Sequence, residues 1–362
     1  MDAYEYALPR SAIAQAPVEP RSSARLLIGP GVDDGAVPRH ATAADLAGLL
    51  RPGDVLVVND TRVLAARLAL VKSTGGSAEV LLIEPLRCGQ DGRDGAATEW
   101  EALVRPGRRL PPGTRLFEVG GTTPVVEVGD MVDPDTPGAG TRRVRLLEPS
   151  VVDRSGSMPL PPYIRRRLVD QARYQTVYSG ERDLADRSSA APTAGLHLTP
   201  ELLKACRLAG ATVATVDLAI GLDTFRPITS DTAEAHVIHS ERYSVPRATV
   251  RACASAGRVV AVGTTTVRAL ESAAATGETT GRTDLYIHGD FPFRVVDVLV
   301  TNFHLPRSSL LLLVEAFCGP VWRDLYADAL SCGYRFLSFG DAMVVGRSGR
   351  KGVPVWDAAA AG

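Results

Sequence analysis

Apolar runs separated by short polar segments are the most informative pattern in this chain, and two such runs flank the segment from Thr301 to Ser309. The β-branched run over residues 295–300 predicts a buried strand, and the apolar run over residues 310–317 predicts a buried helix. The polar residues between them therefore lie where a strand gives way to a helix. Ser308 or Ser309 can cap that helix, and its free N–H groups would favour a carboxylate or phosphate ligand. An ordinary capped loop is the alternative.

The same alternation of strands and helices recurs along the chain and predicts an α/β sheet. Strands are predicted over 54–58, 211–220 and 258–262, helices over 43–50, 200–209 and 267–275, and a turn over 263–266. Polar, loop-forming residues follow several of these strands. Because open α/β sheets bind ligands at the carboxyl ends of their strands, the sequence predicts a ligand site at that edge.

Residues 65–151 differ from the rest of the chain, because short alternating runs are separated there by turns rich in Gly, Pro and Asp. Many short strands and no predicted helix favour a small β-barrel. We therefore expect a main α/β sheet domain made of residues 1–64 and 152–346, an inserted small β-barrel domain at 65–151, and a flexible C-terminal tail at 347–362.

The composition limits the kinds of partner and the cellular compartment that we expect for this protein. The chain has 362 residues, 45% of them hydrophobic, and its 40 basic and 41 acidic residues give a net charge of −1. A polyanion would therefore have to bind a local patch. The five cysteines form no C-x-x-C pattern, which favours reduced thiols in a cytoplasmic protein. No apolar run approaches the roughly 20 residues of a membrane span, so we expect no membrane partner. We also expect a monomer or a weak oligomer.

Residues 263–268 and four histidines carry candidate chemistry. The first segment offers hydroxyls, backbone N–H groups and the Arg268 guanidinium at a helix start, although a tight turn with Arg268 paired to Glu271 is the alternative. The histidines His197, His236, His239 and His304 lie in polar, loop-like contexts and can act as acid or base. A metal set of His236, His239 and Glu241 lacks an H-E-x-x-H pattern or a second cluster, so we expect no metal.

Residues 161–178 mix arginines with tyrosines and an amide. This mixture is typical of contacts to unpaired nucleic acid, in which arginines bind phosphate and a planar side chain stacks on a base. A solvated helix face with a packed tyrosine is the alternative interpretation.

Together these motifs resemble the S-adenosylmethionine:tRNA ribosyltransferase-isomerases of queuosine biosynthesis. The resemblance runs almost end to end and rests on the segments 53–62, 160–164, 173–178, 190–197, 262–265, 301–308, 334–336 and 340–343. It implies an α/β domain with an inserted β-barrel, S-adenosylmethionine as co-substrate, and no metal. The implied reaction transfers the ribosyl part of S-adenosylmethionine onto 7-aminomethyl-7-deazaguanine in a tRNA anticodon, isomerises it to give epoxyqueuosine, and releases adenine and methionine.

The resemblance also implies the residues of the site. A base would remove a proton from the ribose carbon next to the sulfonium, and the implied proton-transfer residues are His197, His304 and Asp341. The residues implied for S-adenosylmethionine are Thr193, Gly195, Gly263, Thr264, Thr265, Arg268, Asn302, Phe303, Arg307 and Ser308. Of these, Arg268 or Arg307 would hold the methionine carboxylate, and Phe303 or Tyr174 would face the sulfonium. The residues implied for the acceptor are Asn59, Asp60, Arg62, Tyr163, Arg173, Tyr174, Gln175, Asp223, His239 and Glu241.

The chain departs from the family pattern at positions expected to face the ligand. Ala219 stands where the family has a histidine, and Asp223 stands where it has a glycine. The lost imidazole and the added carboxylate favour, as an alternative, a paralogue that uses S-adenosylmethionine on a small-molecule acceptor or without an acceptor. A non-catalytic binding protein is a third possibility, disfavoured because the implied proton-transfer residues are present.

Overall fold

The computed structural model describes residues 1–33, 35, 37–87, 98–132, 140–221, 228, 230, 232–236, 238 and 240–349. Asp223, His239 and residues 350–362 of the expected tail lie outside the described residues. The chain forms two compact units. The first comprises Met1–Thr61, Pro161–Ser179 and the described residues from Pro192 onward, and the second comprises Arg62–Leu160 and Gly180–Ala191.

The strands and helices are numbered here in chain order. The strands are β1 (Arg25–Ile28), β2 (Arg39–Thr42), β3 (Asp54–Asn59), β4 (Arg67–Lys72), β5 (Ser77–Arg87), β6 (Glu99–Arg105), β7 (Arg115–Phe117), β8 (Pro124–Met131), β9 (Thr141–Leu146), β10 (Gly156–Ser157), β11 (Thr212–Leu218), β12 (Glu241–Ser244), β13 (Arg258–Val262), β14 (Thr280–Thr283), β15 (Val298–Asn302) and β16 (Ala342–Gly346). The α-helices are α1 (Val151–Ser155), α2 (Pro200–Leu208), α3 (Arg247–Ala254), α4 (Thr264–Thr276), α5 (Ser309–Cys318) and α6 (Trp322–Ser331).

A mixed sheet with the strand order β14-β12-β11-β3-β13-β15-β16-β1-β2 forms the centre of the first unit. Strands β11, β3, β13 and β15 run parallel, so their carboxyl ends lie at one edge. Val262 pairs with Val58 on one side and with Val300 on the other, which fixes the register of the three central strands. These strands confirm the predicted α/β class.

Apolar helix faces cover this sheet. All residues of β3, β13 and β15 are buried, as expected for parallel strands with helices on both faces. Helix α2 contributes Leu202, Leu203 and Cys206 to one side of the core. Among the described residues, no helix combines the length and apolar character that crossing a membrane requires.

A closed antiparallel barrel forms the second unit. Its strands follow the order β4-β5-β6-β9-β8-β7, and β7 pairs back onto β4 through Phe117 and Val71. Inward and outward positions alternate along β9, as the sequence pattern indicated. The inserted β-barrel is thus confirmed. The unit extends beyond 65–151, because β10 pairs with β4 and the Ser188 backbone N–H donates to the Arg62 carbonyl.

Two predicted elements are displaced in the structure. The strand predicted at 295–300 begins at Val298 and continues to Asn302, so Asn302 is a strand residue and not a loop residue. The turn predicted over 263–266 is wrong beyond Gly263, because α4 begins at Thr264. A single glycine with a φ of +93° makes the whole change of direction.

Candidate active site

The carboxyl ends of β3, β13 and β15 lie side by side and lead into Asn59, Gly263 and Asn302. A Cβ atom at Gly263 would lie 3.7 Å from the Cβ atom of Ala194. The 3-10 helix Thr193–His197 therefore packs against the start of α4. The structure brings the polar ends of these strands, which the sequence analysis predicted to lie at one edge, next to the segment Thr193–His197.

A buried hydrogen-bond network links Thr193, Asn302 and His197. The Thr193 hydroxyl donates to Asn302 Oδ1 at 2.8 Å, and Asn302 Nδ2 donates to His197 Nε2 at 3.2 Å and to the Asp341 carbonyl at 3.3 Å. Because an amide nitrogen only donates, His197 Nε2 accepts and the ring proton is assigned to Nδ1. Burial lowers the pKa of His197 to about 4, so this histidine is neutral at pH 7.

His304 occupies a second buried position, shortly after the end of β15. Its Nε2 lies 2.9 Å from the Thr301 hydroxyl, its backbone N–H donates to the Tyr326 hydroxyl, and its carbonyl accepts a hydrogen bond from Tyr6. Burial lowers the pKa of His304 to about 3. Both histidines expected to transfer protons are therefore neutral at pH 7, and neither can serve there as a preformed imidazolium acid.

Asp341 is held by the backbone around it. Its carboxylate accepts hydrogen bonds from the backbone N–H groups of Arg25 at 3.0 Å and Arg335 at 2.8 Å, and the Arg335 guanidinium lies 3.4 Å away. Asp341 is 2% exposed. These contacts favour a positioning role, in which Asp341 orders the chain near His197, over direct proton transfer.

Asn59 joins three elements at the edge of the sheet. Its amide nitrogen donates to the Leu218 carbonyl and the Thr265 hydroxyl, and its amide oxygen accepts from the backbone N–H groups of Thr61 and Leu218. These four hydrogen bonds use both amide protons and both oxygen lone pairs, which favours a structural role.

Thr264, another residue implied for S-adenosylmethionine, is 6% exposed and lies in the first turn of α4.

Arg268 forms a buried ion pair with Glu241 and donates to the Leu285 carbonyl at 3.1 Å, while its Nη2 has no hydrogen-bond partner among the described residues. Glu241 also accepts a hydrogen bond from the Gly221 backbone N–H at 2.9 Å. The alternative pairing of Arg268 with Glu271 is wrong, because Glu271 instead accepts three backbone N–H groups at residues 294–296. The carboxylates of Glu241 and Glu271 thus both pair with groups that lie at least 20 positions away in the sequence.

Arg307 has an unusual backbone and an available guanidinium. Its φ is +52°, a region that non-glycine residues rarely adopt, and its carbonyl accepts from the Ile228 N–H at 2.7 Å. Within the described part of the chain, no hydrogen bond or ion pair is found for its side chain. Ser308 caps α5, since its hydroxyl accepts from the Leu311 N–H. Backbone strain of this kind is often found at ligand sites.

Tyr178 and Gly195 form a close contact beside the network. A Cβ atom at Gly195 would overlap the Tyr178 hydroxyl and lie 3.2 Å from Thr176 Cγ2, so only glycine fits. The buried Tyr178 hydroxyl makes no hydrogen bond of normal geometry among the residues described, and the Thr176 side chain lies beside it. Burial, assisted by the nearby Asp60 carboxylate, raises the pKa of Tyr178. A buried hydroxyl that lacks a partner is expected where a polar ligand binds.

Arg21 is a residue of the site that the sequence analysis missed. Its guanidinium donates to the carbonyls of Gln175 at 3.0 Å and Leu196 at 3.1 Å, so it ties residues 172–175 to the His197 segment. Arg173 is held in a similar way by Glu19. No local signal marks Arg21, because its partners lie about 150 positions away, as the separation of 154 from Gln175 shows.

Several expected ligand residues are packed in the core. Phe303 is 0% exposed and stacks on Phe336 with ring centroids 4.6 Å apart, and Tyr174 is also 0% exposed. The Tyr163 hydroxyl lies 2.7 Å from Ser338 Oγ. These contacts favour the packed-tyrosine interpretation of this segment, and neither ring presents a free face for a sulfonium.

Asp60, Arg62 and residues 165–167 remain accessible. Asp60 and Arg62 are partly exposed after the end of β3, and Arg62 belongs to the second unit. Arg165, Arg166 and Arg167 are exposed in the first unit.

Comparison with known proteins identifies relatives along the whole chain. A family model described as "Queuosine biosynthesis protein" matches residues 1–345. A protein of Moorella thermoacetica named S-adenosylmethionine:tRNA ribosyltransferase-isomerase is 44% identical over 95% of this chain and 99% of its own length. A protein of the same name from Synechococcus elongatus is 46% identical over 95% of both chains. The crystal structure of an S-adenosylmethionine tRNA ribosyltransferase from Thermotoga maritima aligns with a TM-score of 0.51 and 34% identity over 94% of this chain and 99% of that one.

Proposed function

This chain belongs to the queuosine biosynthesis protein family, and we propose that it acts as an S-adenosylmethionine:tRNA ribosyltransferase-isomerase. It transfers the ribosyl part of S-adenosylmethionine to 7-aminomethyl-7-deazaguanine in a tRNA anticodon and isomerises it, giving epoxyqueuosine, adenine and methionine. The comparisons give no support to a paralogue with a small-molecule acceptor. The two relatives named above are both called the tRNA enzyme, and they align with this chain over 99% and 95% of their own length.

The observation that carries this proposal is the buried network of Thr193, Asn302 and His197 at the carboxyl edge of the sheet. It places an acceptor nitrogen, an amide and a hydroxyl where an α/β sheet binds ligands. Tyr178 and Gly195 border the same place, and the Tyr178 hydroxyl supplies a donor that a nucleoside could use. The residues present therefore suit the polar groups of a nucleoside co-substrate.

We assign His197 as the base of the reaction. The sulfonium of S-adenosylmethionine acidifies the neighbouring ribose carbon, and a base must take a proton from it. His197 is neutral at pH 7, and its Nε2 accepts a hydrogen bond from the Asn302 amide at 3.2 Å, which the co-substrate must displace before Nε2 can take the proton. Asp341 acts as a positioning residue, because its carboxylate holds the backbone at Arg25 and Arg335.

We assign the methionine carboxylate to Arg307 and not to Arg268. Arg268 is neutralised by Glu241, whereas Arg307 is partly exposed and follows directly after the segment that carries Asn302. A guanidinium binds a carboxylate through paired N–H groups. The Arg307 backbone strain is then part of the geometry that directs this side chain.

The reaction itself tests the proposed function. Purified protein is incubated with S-adenosylmethionine, with and without tRNA that carries 7-aminomethyl-7-deazaguanine, and adenine and methionine are quantified by mass spectrometry. Equal amounts of both products, formed only with the modified tRNA, are expected. Product formation without tRNA would contradict the assignment. His197→Gln should abolish turnover, whereas the matched control His236→Gln, at a partly exposed position, should retain it.

Binding of S-adenosylmethionine tests the role of Arg307 separately. Arg307→Gly suits the positive φ and keeps the fold, but it removes the guanidinium. Hydrogen bonds to charged groups contribute about 1.5–3 kcal/mol, so calorimetry should show a Kd weakened by about tenfold to a hundredfold. Arg207→Gln, on the exposed side of α2, is the control and should bind normally. Unchanged affinity in Arg307→Gly would remove Arg307 from the site.

A further inference from the structure

His40, Asp328 and Cys332 bring three different metal-binding side chains together on the surface of the first unit. His40 lies on β2, Asp328 lies near the end of α6, and Cys332 follows that helix. Within the described chain their donor atoms all lie within 4.8 Å of one another. No step of the proposed reaction uses these residues, and the sequence gives little sign of them because His40 is 292 positions from Cys332.

The separations of the three donor atoms match those around a tetrahedral ion. Bond lengths of about 2.0–2.3 Å for Zn²⁺ place any two ligand atoms about 3.3–3.7 Å apart. In the structure His40 Nε2 lies 3.4 Å from Asp328 Oδ2 and 3.9 Å from Cys332 Sγ, and Cys332 Sγ lies 3.7 Å from Asp328 Oδ1. Shifts of a few tenths of an ångström would complete the geometry.

The surroundings of the three side chains also suit a metal ion. His40 Nδ1 lies 2.9 Å from the Tyr334 hydroxyl, which leaves Nε2 directed at Asp328 and Cys332. Metal-binding histidines nearly always make such a hydrogen bond with their second nitrogen. Asp328 Oδ2 is buried and makes no hydrogen bond of normal geometry among the residues that the structure describes, although the His40 ring nitrogen lies 3.4 Å away. A buried carboxylate oxygen is stabilised when a cation binds it.

We propose that His40, Asp328 and Cys332 form a binding site for a thiophilic divalent cation such as Zn²⁺. Imidazole, carboxylate and thiolate are all ligands of Zn²⁺, and water would complete the fourth position. Because β2 lies at the edge of the sheet, the ion joins this edge strand to the end of α6. The Cys332 carbonyl is already fixed by the Arg25 guanidinium at 2.6 Å, so the thiol needs little reorganisation.

Titration of the metal-free full-length protein with Co²⁺ alone tests this site. One equivalent should produce a thiolate-to-cobalt charge-transfer band, which Zn²⁺ then displaces. Cys332→Ser should lose the band. His40→Gln and Asp328→Asn should each weaken binding by at least about tenfold, and Tyr334→Phe by about tenfold through loss of the hydrogen bond to His40.

Asp324→Asn is the matched control, because Asp324 is an exposed acid one turn earlier on α6. It removes the same charge and should leave the Co²⁺ affinity unchanged. The absence of a charge-transfer band, or a band that persists in Cys332→Ser, would overturn the proposal. Full affinity in both His40→Gln and Asp328→Asn would also overturn it, since the thiol alone would then bind the ion. Thermal unfolding without metal checks that every variant is folded.

Discussion

His197 and His304 show how burial determines the chemistry of a single residue. Both rings are at least nine-tenths buried, with 6% and 8% exposure, and both have a pKa well below the usual 6.5. A histidine in this state can accept a proton only in a transient step. The hydrogen bond from Asn302 gives His197 the defined tautomer that a base requires, whereas the backbone of His304 is tied to Tyr6 and Tyr326.

The two histidines should make stability depend on pH. Above pH 6.5 they are neutral in both folded and unfolded chains. As the pH falls from 6.5 towards 4, the unfolded chain takes up protons that the folded chain refuses, so stability is lost, by up to about 1.4 kcal/mol per pH unit for each histidine. Urea unfolding at several pH values in this range should show a shallower loss for His197→Gln and for His304→Gln than for the parent protein.

His236→Gln is the control for this measurement, because His236 is only partly buried. It should leave the slope of stability against pH unchanged. The comparison uses slopes, so a general destabilisation of any variant cancels. A parent slope retained in both buried-histidine variants would show that these side chains are not neutral in the folded protein.

At the scale of the element, the N-terminus of α5 is stabilised by Ser308, which directly follows Arg307. The Ser308 hydroxyl accepts from the Leu311 N–H at 3.3 Å and donates to the Leu305 carbonyl at 2.7 Å. Ser308→Ala should lower the free energy of unfolding by about 0.5–2 kcal/mol, as the loss of an N-cap does. Urea denaturation measures this change, and Ser309→Ala is the neighbouring control at the first helical position. An equal loss in both variants would contradict the capping role.

The helix caps and apolar runs were accessible to sequence reasoning, because they are local. Ser308, one of the two predicted caps, caps α5, and α2 matches its predicted range to within one residue. The barrel was predicted because its short strands alternate over a few residues each. The bounds of β15 were less accessible, because Thr301 and Asn302 are polar yet buried, and their side chains are satisfied by histidines and threonines of the site.

The partners of charged side chains could not be deduced in this way. Arg268 pairs with Glu241 across 27 positions, although Glu271 is nearer along its own helix. The Glu271 carboxylate instead accepts hydrogen bonds from backbone N–H groups just before β15, such as that of Val295, and burial raises the pKa of Glu271. Such choices depend on which elements meet in three dimensions. The sequence therefore indicated which polar segments follow the sheet strands, whereas the contacts of each side chain needed the fold.

At the scale of the whole molecule, charge determines how an RNA substrate could be bound. With a net charge of −1, the protein produces no long-range attraction for a polyanion. Binding must then come from local groups. Arg165, Arg166 and Arg167 are three consecutive exposed cations, and no side-chain partner is found for them in the described ranges. They lie in the first unit, as do Thr193, His197 and Asn302.

Replacement of Arg165, Arg166 and Arg167 by Gln should therefore weaken tRNA binding at low salt and flatten its salt dependence. Each arginine that contacts a phosphate contributes about 0.7 to the slope of log K against log salt. Filter binding over a range of salt concentrations measures this slope, while the Kd for S-adenosylmethionine should stay unchanged. Glutamine at the exposed helical arginines Arg207, Arg247 and Arg251 changes the net charge equally. If that control lowers the slope as much, total charge rather than this cluster governs binding.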